Sequence, residues 1–288
     1  MSGGPADPLL LATAVEAVVR AGDLQMAKFG TSLRVDKKGA IDLVTEVDVE
    51  VERMFRALVA ARFPDHDVLA EEQGDAGARG ARYRWVFDPL DGTTNFAHGV
   101  PIFCASLALE IDGQAVVAAV YDPNRKELFT AEAGVGSWLN GQRLKVSSNA
   151  TVLESMLVTG FPYNVHQEAD EFLKVFGRVL TRARAVRRLG SAAIDICWVA
   201  SGRMEGFWEA VLKPWDTRAA ALILEEAGGR DLSHFKLWYS QAGTPGLVCA
   251  LSHDRAAKTV DLGNAIYALT KKRIRELPFS KATLTATT

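Results

Sequence analysis

The stretch from Trp85 to Phe96 reads Trp-Val-Phe-Asp-Pro-Leu-Asp-Gly-Thr-Thr-Asn-Phe, and the rest of the chain is organised around it. Its first three residues are apolar and are typical of the end of a buried strand. The apolar run stops at Asp88, and Pro89 is expected to end the strand ladder because it has no N–H to donate. Asp91 and Gly92 follow, and two threonines then offer hydroxyl and N–H groups at the expected start of a short helix.

This order of residues has a chemical meaning. Two carboxylates with one carbonyl between them make an oxygen-rich pocket for a hard divalent cation such as Mg²⁺. The helix start beside them offers N–H groups to an anion, so the stretch indicates metal-assisted hydrolysis of a phosphate ester. The alternative interpretation is a strand–turn–helix corner in which Asp91 and Thr93 only satisfy the turn. The length of the motif argues against that alternative.

Composition narrows the class of protein. The 288 residues are 48% hydrophobic, which is enough for one large core or two closely packed halves. A net charge of −2 argues against an intrinsic nucleic-acid binder, since such proteins are usually basic. Three widely spaced cysteines favour a reducing cytosol and predict neither disulfides nor a zinc site. The sequence suggests no secretory signal and no membrane span, so a cytoplasmic location is expected.

The pattern of apolar residues changes near residue 148. Before it, helices are expected at about 8–29 and 45–64, followed by an antiparallel meander between 101 and 148. After it, strands and helices alternate as in α/β proteins, and a last helix is expected at 253–269. The expected organisation is a flexible tail at 1–7, a single domain at 8–277 with sub-halves of about 8–148 and 149–277, and a flexible tail at 278–288.

The quoted motif and a second one, from Trp215-Asp216 to Gly229, resemble the two signatures of the inositol monophosphatase family. The resemblance extends from about residue 8 to about residue 270, and the bacterial branch is the most similar through 159–163 and 206–209. It implies a layered α/β/α/β/α sandwich of the sugar-phosphatase type, which belongs to the α+β class. It also implies a homodimer and inhibition by Li⁺.

The resemblance assigns the metal ligands. Glu71, Asp88 and the backbone carbonyl of Leu90 would hold one Mg²⁺ ion, and Asp88, Asp91 and Asp216 would hold a second. A third and weaker ion would lie near Glu71. Two or three Mg²⁺ ions per site are therefore the expected cofactors.

The resemblance also assigns the remaining site residues. Glu71 and Thr93 would orient the attacking water, and Asp48 would hydrogen-bond near Thr93. From its position alone, Asp48 could equally be an ordinary acid in the first turn of a helix, where the dipole favours a negative charge. The residues expected to bind the phosphate and the rest of the substrate are Gly92, Thr93, Gly190, Ser191, Ala192 and Glu209.

Two departures from the family pattern lie near the site. Arg218 stands where the second signature has a small residue, and the segment 231–241 replaces a Gly-rich hairpin. On a helix that begins with Asp216 at its N-cap, Arg218 lies about 200° around the axis from Asp216. Arg218 is therefore expected to lie against a neighbouring element or a subunit interface and to have a structural role.

The expected activity is Mg²⁺-dependent hydrolysis of a phosphate monoester, with myo-inositol 1-phosphate as the first choice of substrate. The same chemistry on histidinol phosphate, fructose 1,6-bisphosphate or a nucleotide 3′-phosphate is the alternative. A regulatory or scaffolding protein with an idle site is the alternative from another class, and the complete set of acids argues against it. The expected partner is a small phosphate ester, with neither a membrane nor a nucleic acid.

Overall fold

The computed structural model describes residues 7–32, 34–37, 43–75, 81–149, 151–163, 165–167, 169–231 and 247–251. The helices are α1 (Pro8–Lys28), α2 (Glu46–Arg62), α3 (Thr93–Ala97), α4 (Ala169–Leu180), α5 (Ala192–Ala200) and α6 (Pro214–Glu226). The strands of the first half are β1 (Val35–Lys37), β2 (Leu43–Thr45), β3 (Asp67–Ala70), β4 (Gly74–Asp75), β5 (Tyr83–Asp91), β6 (Cys104–Ile111), β7 (Gln114–Asp122), β8 (Glu127–Glu132), β9 (Gly136–Leu139) and β10 (Gln142–Arg143). Those of the second half are β11 (Met156–Thr159), β12 (Ala185–Arg187), β13 (Gly206–Ala210), β14 (Arg230–Asp231) and β15 (Leu247–Leu251).

These strands form three sheets. The first is the small ribbon β1-β2, the second has the order β10-β9-β8-β7-β6-β5-β3-β4, and the third has the order β12-β11-β13-β15-β14. From β5 to β10 each strand pairs antiparallel with the next one, so the predicted meander is confirmed, whereas β5 pairs in parallel with β3 on its other side. In the third sheet β11 pairs in parallel with β12 and β13, as the alternation of strands and helices predicts.

Helices and sheets stack in five layers. Helices α1 and α2 cover one face of the large sheet, where Val18 and Phe55 join a core that includes Trp85. Helices α5 and α6 lie between the two large sheets, and their apolar residues pack against strands of both. Helix α4 covers the outer face of the third sheet, where Val179 packs with Trp208. The expected α/β/α/β/α sandwich of the α+β class is confirmed.

Helix α2 begins and ends where the sequence predicts. The Thr45 hydroxyl accepts a 3.2 Å hydrogen bond from the Val47 N–H, and Asp48 Oδ2 accepts one of 2.8 Å from the Thr45 N–H. This reciprocal capping box satisfies donors that the first turn would leave without partners. At the other end the helix stops at Arg62, two residues before Pro64. The capping box fixes the direction in which Asp48 enters the core.

Strand β5 does not end at Asp88 as predicted. It continues to Asp91, and its register against β6 shifts between Asp88 and Asp91. Pro89 lies in this irregular part of the strand, where its missing N–H breaks no ladder bond. The Pro89 carbonyl accepts a 2.8 Å hydrogen bond from Nε2 of the buried Gln25 in α1. The irregular pairing changes the direction in which the following side chains point.

One predicted boundary is corrected, and others lie outside the described residues. Asp7, expected in the flexible tail, caps α1 by accepting a 3.0 Å hydrogen bond from the Leu9 N–H. The predicted helix at 253–269, the tail at 278–288 and most of the atypical segment 231–241 lie outside the described residues. The limits of the domain and of its halves stay a prediction.

Arg218 faces the large sheet. Its Nε contacts Oε1 of Glu110 on β6, and the two side chains are 31% and 10% exposed. This direction agrees with the rotation expected from its place on the helix, although α6 begins at Pro214. The ion pair joins the middle helical layer to the sheet and is a structural contact.

Two helical glycines offer a matched test of this packing. A Cβ on Gly22 of α1 would lie 2.6 Å from the ring of Tyr121, whereas a Cβ on Gly177 of α4 would meet nothing within 4 Å. We expect Gly22→Ala to destabilise the protein by about 1–3 kcal/mol through overpacking. Gly177→Ala should stabilise it by about 0.5–1 kcal/mol, because alanine favours the helix. Chemical denaturation measures both changes, and equal effects of the two substitutions would contradict the described contact between α1 and β7.

Candidate active site

Asp88 lies near the end of β5 inside the large sheet, and only 2% of it is exposed. Its Oδ1 accepts a 2.9 Å hydrogen bond from the Leu90 N–H. Burial raises the pKa of Asp88 well above its ordinary value, and the charges of Glu71, Asp91 and Asp216 raise it further. A charged carboxylate in this position is unfavourable unless a cation or a proton neutralises it.

Asp91 holds the start of α5, which belongs to the other half of the chain. Its Oδ2 accepts hydrogen bonds from the Ser191 hydroxyl at 2.6 Å and from the Ala193 N–H at 2.7 Å. Its Oδ1 accepts a longer bond of 3.3 Å from the Ala192 N–H. Ser191, the N-cap residue, makes no capping bond of its own, so Asp91 caps α5 from the other half. Burial raises the pKa of Asp91 to about 6, although these bonds act in the opposite direction.

Asp216 is the third residue of α6 and not its N-cap, which corrects one prediction. The helix begins earlier because proline fits the first turn, so Pro214 opens it and Lys213 is the N-cap. Asp216 Oδ2 accepts a 2.6 Å hydrogen bond from the Lys213 N–H. Burial raises the pKa of Asp216 well above its ordinary value, and the charge of Asp91 adds to the effect.

The acids predicted as metal ligands thus share one electrostatic environment. Burial and mutual repulsion raise the pKa values of Asp88 and Asp216, and the charge of Glu71 contributes to both shifts. In the described part of the chain, no three His, Cys, Asp or Glu side chains are already gathered closely enough to form a metal-binding group. The donors are all oxygens with negative charge, and this chemistry fits a hard divalent cation.

Asp48 and Thr93 come together from distant parts of the sequence. The Thr93 hydroxyl lies 3.0 Å from Asp48 Oδ1 and 2.9 Å from the Leu90 carbonyl oxygen. Asp48 Oδ2 accepts hydrogen bonds from the Thr45 N–H and hydroxyl at 2.8 and 2.6 Å. Burial raises the pKa of Asp48 to about 6. Asp48 is therefore both an acid of the first helical turn and a partner of Thr93.

Gly92 must be glycine for two reasons. Its φ of +99° is left-handed, and a Cβ would lie 2.8 Å from the Ile102 carbonyl oxygen and 3.3 Å from that of Gly190. Asn95 holds the same region together, because its Nδ2 donates 2.8 Å hydrogen bonds to the carbonyls of Ile102 and Leu189. Asn95 lies within the first signature, but no role for it is apparent from the sequence alone.

Glu209, one of the predicted substrate-binding residues, lies in β13 directly against Gly160. A Cβ on Gly160 would lie 1.8 Å from Glu209 Oε2, so the carboxylate takes the space of the missing side chain. Burial raises the pKa of Glu209 to about 7, while the charge of Arg188 opposes this shift. Gly160 was quoted only as part of the family match, and its spatial role was missed.

Two charged residues near Glu209 were also missed. Asp195 in α5 is 1% exposed, and its Oδ1 has no hydrogen-bond partner within the described residues. Burial raises the pKa of Asp195 well above its ordinary value, and the charges of Asp91 and Glu209 add to the shift. Arg188 is exposed and lowers the pKa values of both Asp195 and Glu209. The sequence offered one signal for Arg188, because it lies two residues before Gly190, a predicted substrate-binding residue.

The connection between Glu209 and Asp216 contains a strained residue. Val211 has a φ of +67°, which is rare for a β-branched side chain. A backbone conformation of this kind costs about 1–3 kcal/mol and persists only where the surroundings impose it. The segment between β13 and α6 is therefore held away from its locally preferred conformation.

Comparison with known proteins shows what this fold and site resemble. The sequence pattern of the inositol monophosphatase family matches residues 8–260. Nus factor SuhB of Salmonella typhimurium is 40% identical over 222 residues, which cover 76% of this chain and 83% of that protein. Inositol-1-monophosphatase of a Synechocystis species is 43% identical over 220 residues, which cover 76% of this chain and 77% of that protein. The solved structure of an inositol monophosphatase from Anabaena superposes with a TM-score of 0.78 at 35% identity, covering 91% of this chain and 96% of that chain.

The layered fold and the buried acids define a metal-dependent phosphomonoester hydrolase. The chain belongs to the inositol monophosphatase family, which matches nearly its whole length. Within the described ranges, none of the helices has the length and apolar character needed to cross a bilayer.

The pKa of Glu209 allows a test of the site without a substrate. Its pKa is about 7 in the folded protein against an ordinary value of 4.5. The stability that this difference gives is complete below about 4.5 and is lost as the pH rises through about 7. The melting temperature of the metal-free wild type should therefore fall relative to that of Glu209→Gln over this range. Each kcal/mol of unfolding free energy that is lost should lower the melting temperature by about 2–4 °C.

Thermal melts of both proteins after treatment with a chelator measure this difference. Asp112→Asn, in the exposed turn between β6 and β7, is the control and should follow the wild type at every pH. A constant difference between Glu209→Gln and the wild type would contradict the raised pKa.

Proposed function

We propose that this protein hydrolyses a polyol phosphate monoester with the help of Mg²⁺, and that myo-inositol 1-phosphate is its preferred substrate. The observation that carries the proposal is the shared environment of the four acids Glu71, Asp88, Asp91 and Asp216. Burial raises the pKa values of Asp88 and Asp216, and the charges of Glu71 and Asp91 raise both further. Buried acids that repel one another are typical of a cation site. Relatives named inositol-1-monophosphatase support the choice of substrate.

The proposed metal ligands are the residues named from the sequence. Glu71, Asp88 and the Leu90 carbonyl hold one Mg²⁺, Asp88, Asp91 and Asp216 hold a second, and a third lies near Glu71. When bound, Mg²⁺ lowers the pKa of water and neutralises charge on the phosphate. Before it binds, Asp91 and Asp216 keep their orientation through hydrogen bonds to α5 and to the Lys213 N–H.

Thr93 and Glu71 position the attacking water in this proposal. The Thr93 hydroxyl donates its proton to Asp48 Oδ1, 3.0 Å away, and its oxygen accepts a hydrogen bond from the water. Glu71 accepts a hydrogen bond from the other hydrogen of the water, and that hydrogen stays on the oxygen as it bonds to phosphorus. The departing alcohol oxygen takes its proton from solvent. Asp48, with a pKa of about 6, is able to take a proton from Thr93 as the attack proceeds. The N–H groups of Gly92 and Thr93 hold the phosphate oxygens.

Glu209 selects the alcohol part of the substrate. An ionised carboxylate accepts hydrogen bonds from two hydroxyl groups, and such charge-assisted bonds contribute about 1.5–3 kcal/mol each. The polyol lies between Glu209 and the segment of Gly190, Ser191 and Ala192. Gly160 leaves room for the carboxylate, since any Cβ there would overlap it.

Fructose 1,6-bisphosphate is the second candidate because of Arg188. A second phosphate placed beside Glu209 alone would be repelled, but the exposed guanidinium of Arg188 is close enough to lower the pKa of Glu209. That cation could receive the second phosphate. Arg188→Gln should then lower kcat/KM for the bisphosphate by a clearly larger factor than for inositol 1-phosphate, which loses only the help that Arg188 gives in keeping Glu209 ionised. Equal losses on the two substrates would leave Arg188 without a role in binding a second phosphate.

A regulatory role is the candidate from another class. Several relatives carry the name Nus factor SuhB, and this name is the observation that favours the candidate. A deletion phenotype restored by the inactive Asp88→Asn protein would favour this role. A homodimer stays a prediction from the family resemblance, and a cytoplasmic location stays a prediction from the sequence.

Asp88→Asn tests the metal site. Asparagine keeps an oxygen for the Leu90 N–H and removes the buried charge, so the metal-free variant should melt at a higher temperature than the wild type. It should lose most of the stabilisation that Mg²⁺ gives the wild type, and turnover should fall by more than about 100-fold. Li⁺ should inhibit the wild type.

Calorimetric Mg²⁺ titration, thermal melts and phosphate release measure these effects. Asp112→Asn carries the same chemical change on the exposed β6–β7 turn and should behave as the wild type. Full activity of a folded Asp88→Asn protein would refute the two-metal site.

Glu209→Gln tests the choice of substrate. The amide keeps the size of the side chain but makes weaker hydrogen bonds to hydroxyl groups, so kcat/KM for inositol 1-phosphate should fall by about tenfold. An aryl phosphate has no such hydroxyl groups and should be hydrolysed at nearly the wild-type rate. Equal losses on the two substrates would exclude Glu209 as the selector.

A further inference from the structure

Glu52 is a buried acid that the metal site and the substrate pocket leave unexplained. It lies on α2 one turn after Asp48 and has a relative exposure of 0%. Its Oε2 accepts a 2.8 Å hydrogen bond from the Glu72 N–H, and its Oε1 accepts one of 3.1 Å from the Gln73 N–H. Arg56 donates a further bond of 2.8 Å from Nε to Oε1. A fully buried carboxylate is stable here because a cation and two N–H groups compensate its charge.

The two N–H groups belong to the turn that begins with Glu71. Strand β3 ends at Ala70, and residues 71–73 form the turn that leads to β4. On the other side of Glu71, Arg56 Nη1 donates a 3.4 Å hydrogen bond to the Val68 carbonyl. The ion pair of Glu52 and Arg56 therefore holds the backbone both before and after Glu71.

Helix α2 connects this turn to a second part of the site. Residues 48 and 52 are separated by four positions and lie on the same face of the helix. Asp48 is bonded to Thr93, while Glu52 is bonded to the turn that carries Glu71. One rigid helix thus fixes the two groups that the proposed mechanism uses to orient water.

We propose that Glu52 is a positioning residue, which sets the place of Glu71 relative to Thr93 by holding the N–H groups of residues 72 and 73. The inference rests on the proposed function, since it assumes that Glu71 acts on the metal and on water. Other buried acids hold turns in this fold, for example Asp122, but no proposed metal ligand lies in that turn. If Glu52 positions Glu71, its substitution should lower the affinity of the protein for the metal.

The test compares Glu52→Gln with two controls on the same helix. Glutamine keeps the size of the side chain but loses the charge, and its amide nitrogen cannot accept from a backbone N–H. Glu46→Gln makes the same charge change at an exposed position, whose ion pair with Lys28 is open to solvent. Val51→Ala removes buried apolar atoms next to Glu52 and should lower the melting temperature without touching the turn.

Titration calorimetry of the metal-free proteins with Mg²⁺ is the main measurement. Glu52→Gln should bind Mg²⁺ about 10-fold to 100-fold more weakly than the wild type, because substitution of a residue that supports a metal ligand usually lowers the metal affinity by this factor. Amide hydrogen exchange at residues 72 and 73 should be faster in this variant. Both controls should keep the wild-type affinity, even where Val51→Ala melts at a lower temperature. Arg56→Gln replaces Glu52→Gln if the latter does not fold, and it should weaken Mg²⁺ binding in the same direction.

The outcomes separate this inference from the proposed function. Wild-type Mg²⁺ affinity in Glu52→Gln, or in Arg56→Gln where that variant replaces it, overturns the positioning role alone. An equal loss of affinity in Val51→Ala also overturns it, because the effect would then follow from stability. A wild-type protein that neither binds Mg²⁺ nor releases phosphate overturns the proposed function and the inference together.

Discussion

The hydrogen bonds of Asp91 to the start of α5 are the contact on which the site depends. Asp91 belongs to the large sheet, and the Ser191 hydroxyl and Ala193 N–H belong to the second half of the chain. The bonds supply the cap that α5 lacks within its own segment and bring the two halves together beside Asp88. Asn95 strengthens the same junction by binding the Leu189 carbonyl. The contact between the two halves therefore uses the Asp91 carboxylate, which also belongs to the candidate active site.

The sequence predicted the elements whose signals are local. The cap at Thr45, the proline at 64, and the turns of the meander each depend on residues close together in the chain, and the structure agrees with them. The family resemblance then supplied the five layers, which no local pattern contains. Asp88, Asp91 and Asp216 could be named because the two signatures contain them, and Glu71 because it lies shortly before the first signature.

The sequence could not predict features that depend on contacts between distant residues. Pro89 normally ends a strand, but the register shift against β6 lets β5 continue through it. The role of Gly160 depends on where Glu209 lies, and the role of Glu52 depends on a turn twenty residues later. In these cases tertiary packing decides between local alternatives of similar energy. The N-cap predicted at Asp216 is wrong for a local reason, because Pro214 fits the first turn and opens the helix two residues earlier.

The left-handed conformation of Val211 has an evolutionary consequence. Every valine codon becomes a glycine codon through one base change, so relief of the strain is always one mutation away. Glycine would lower the energy of the native loop, but it would also give the unfolded chain more conformations to lose. A valine confines the loop before folding as well as after it. The segment that links the proposed alcohol selector Glu209 to the proposed metal ligand Asp216 therefore keeps a strained native conformation, and in return its unfolded chain has fewer conformations to lose.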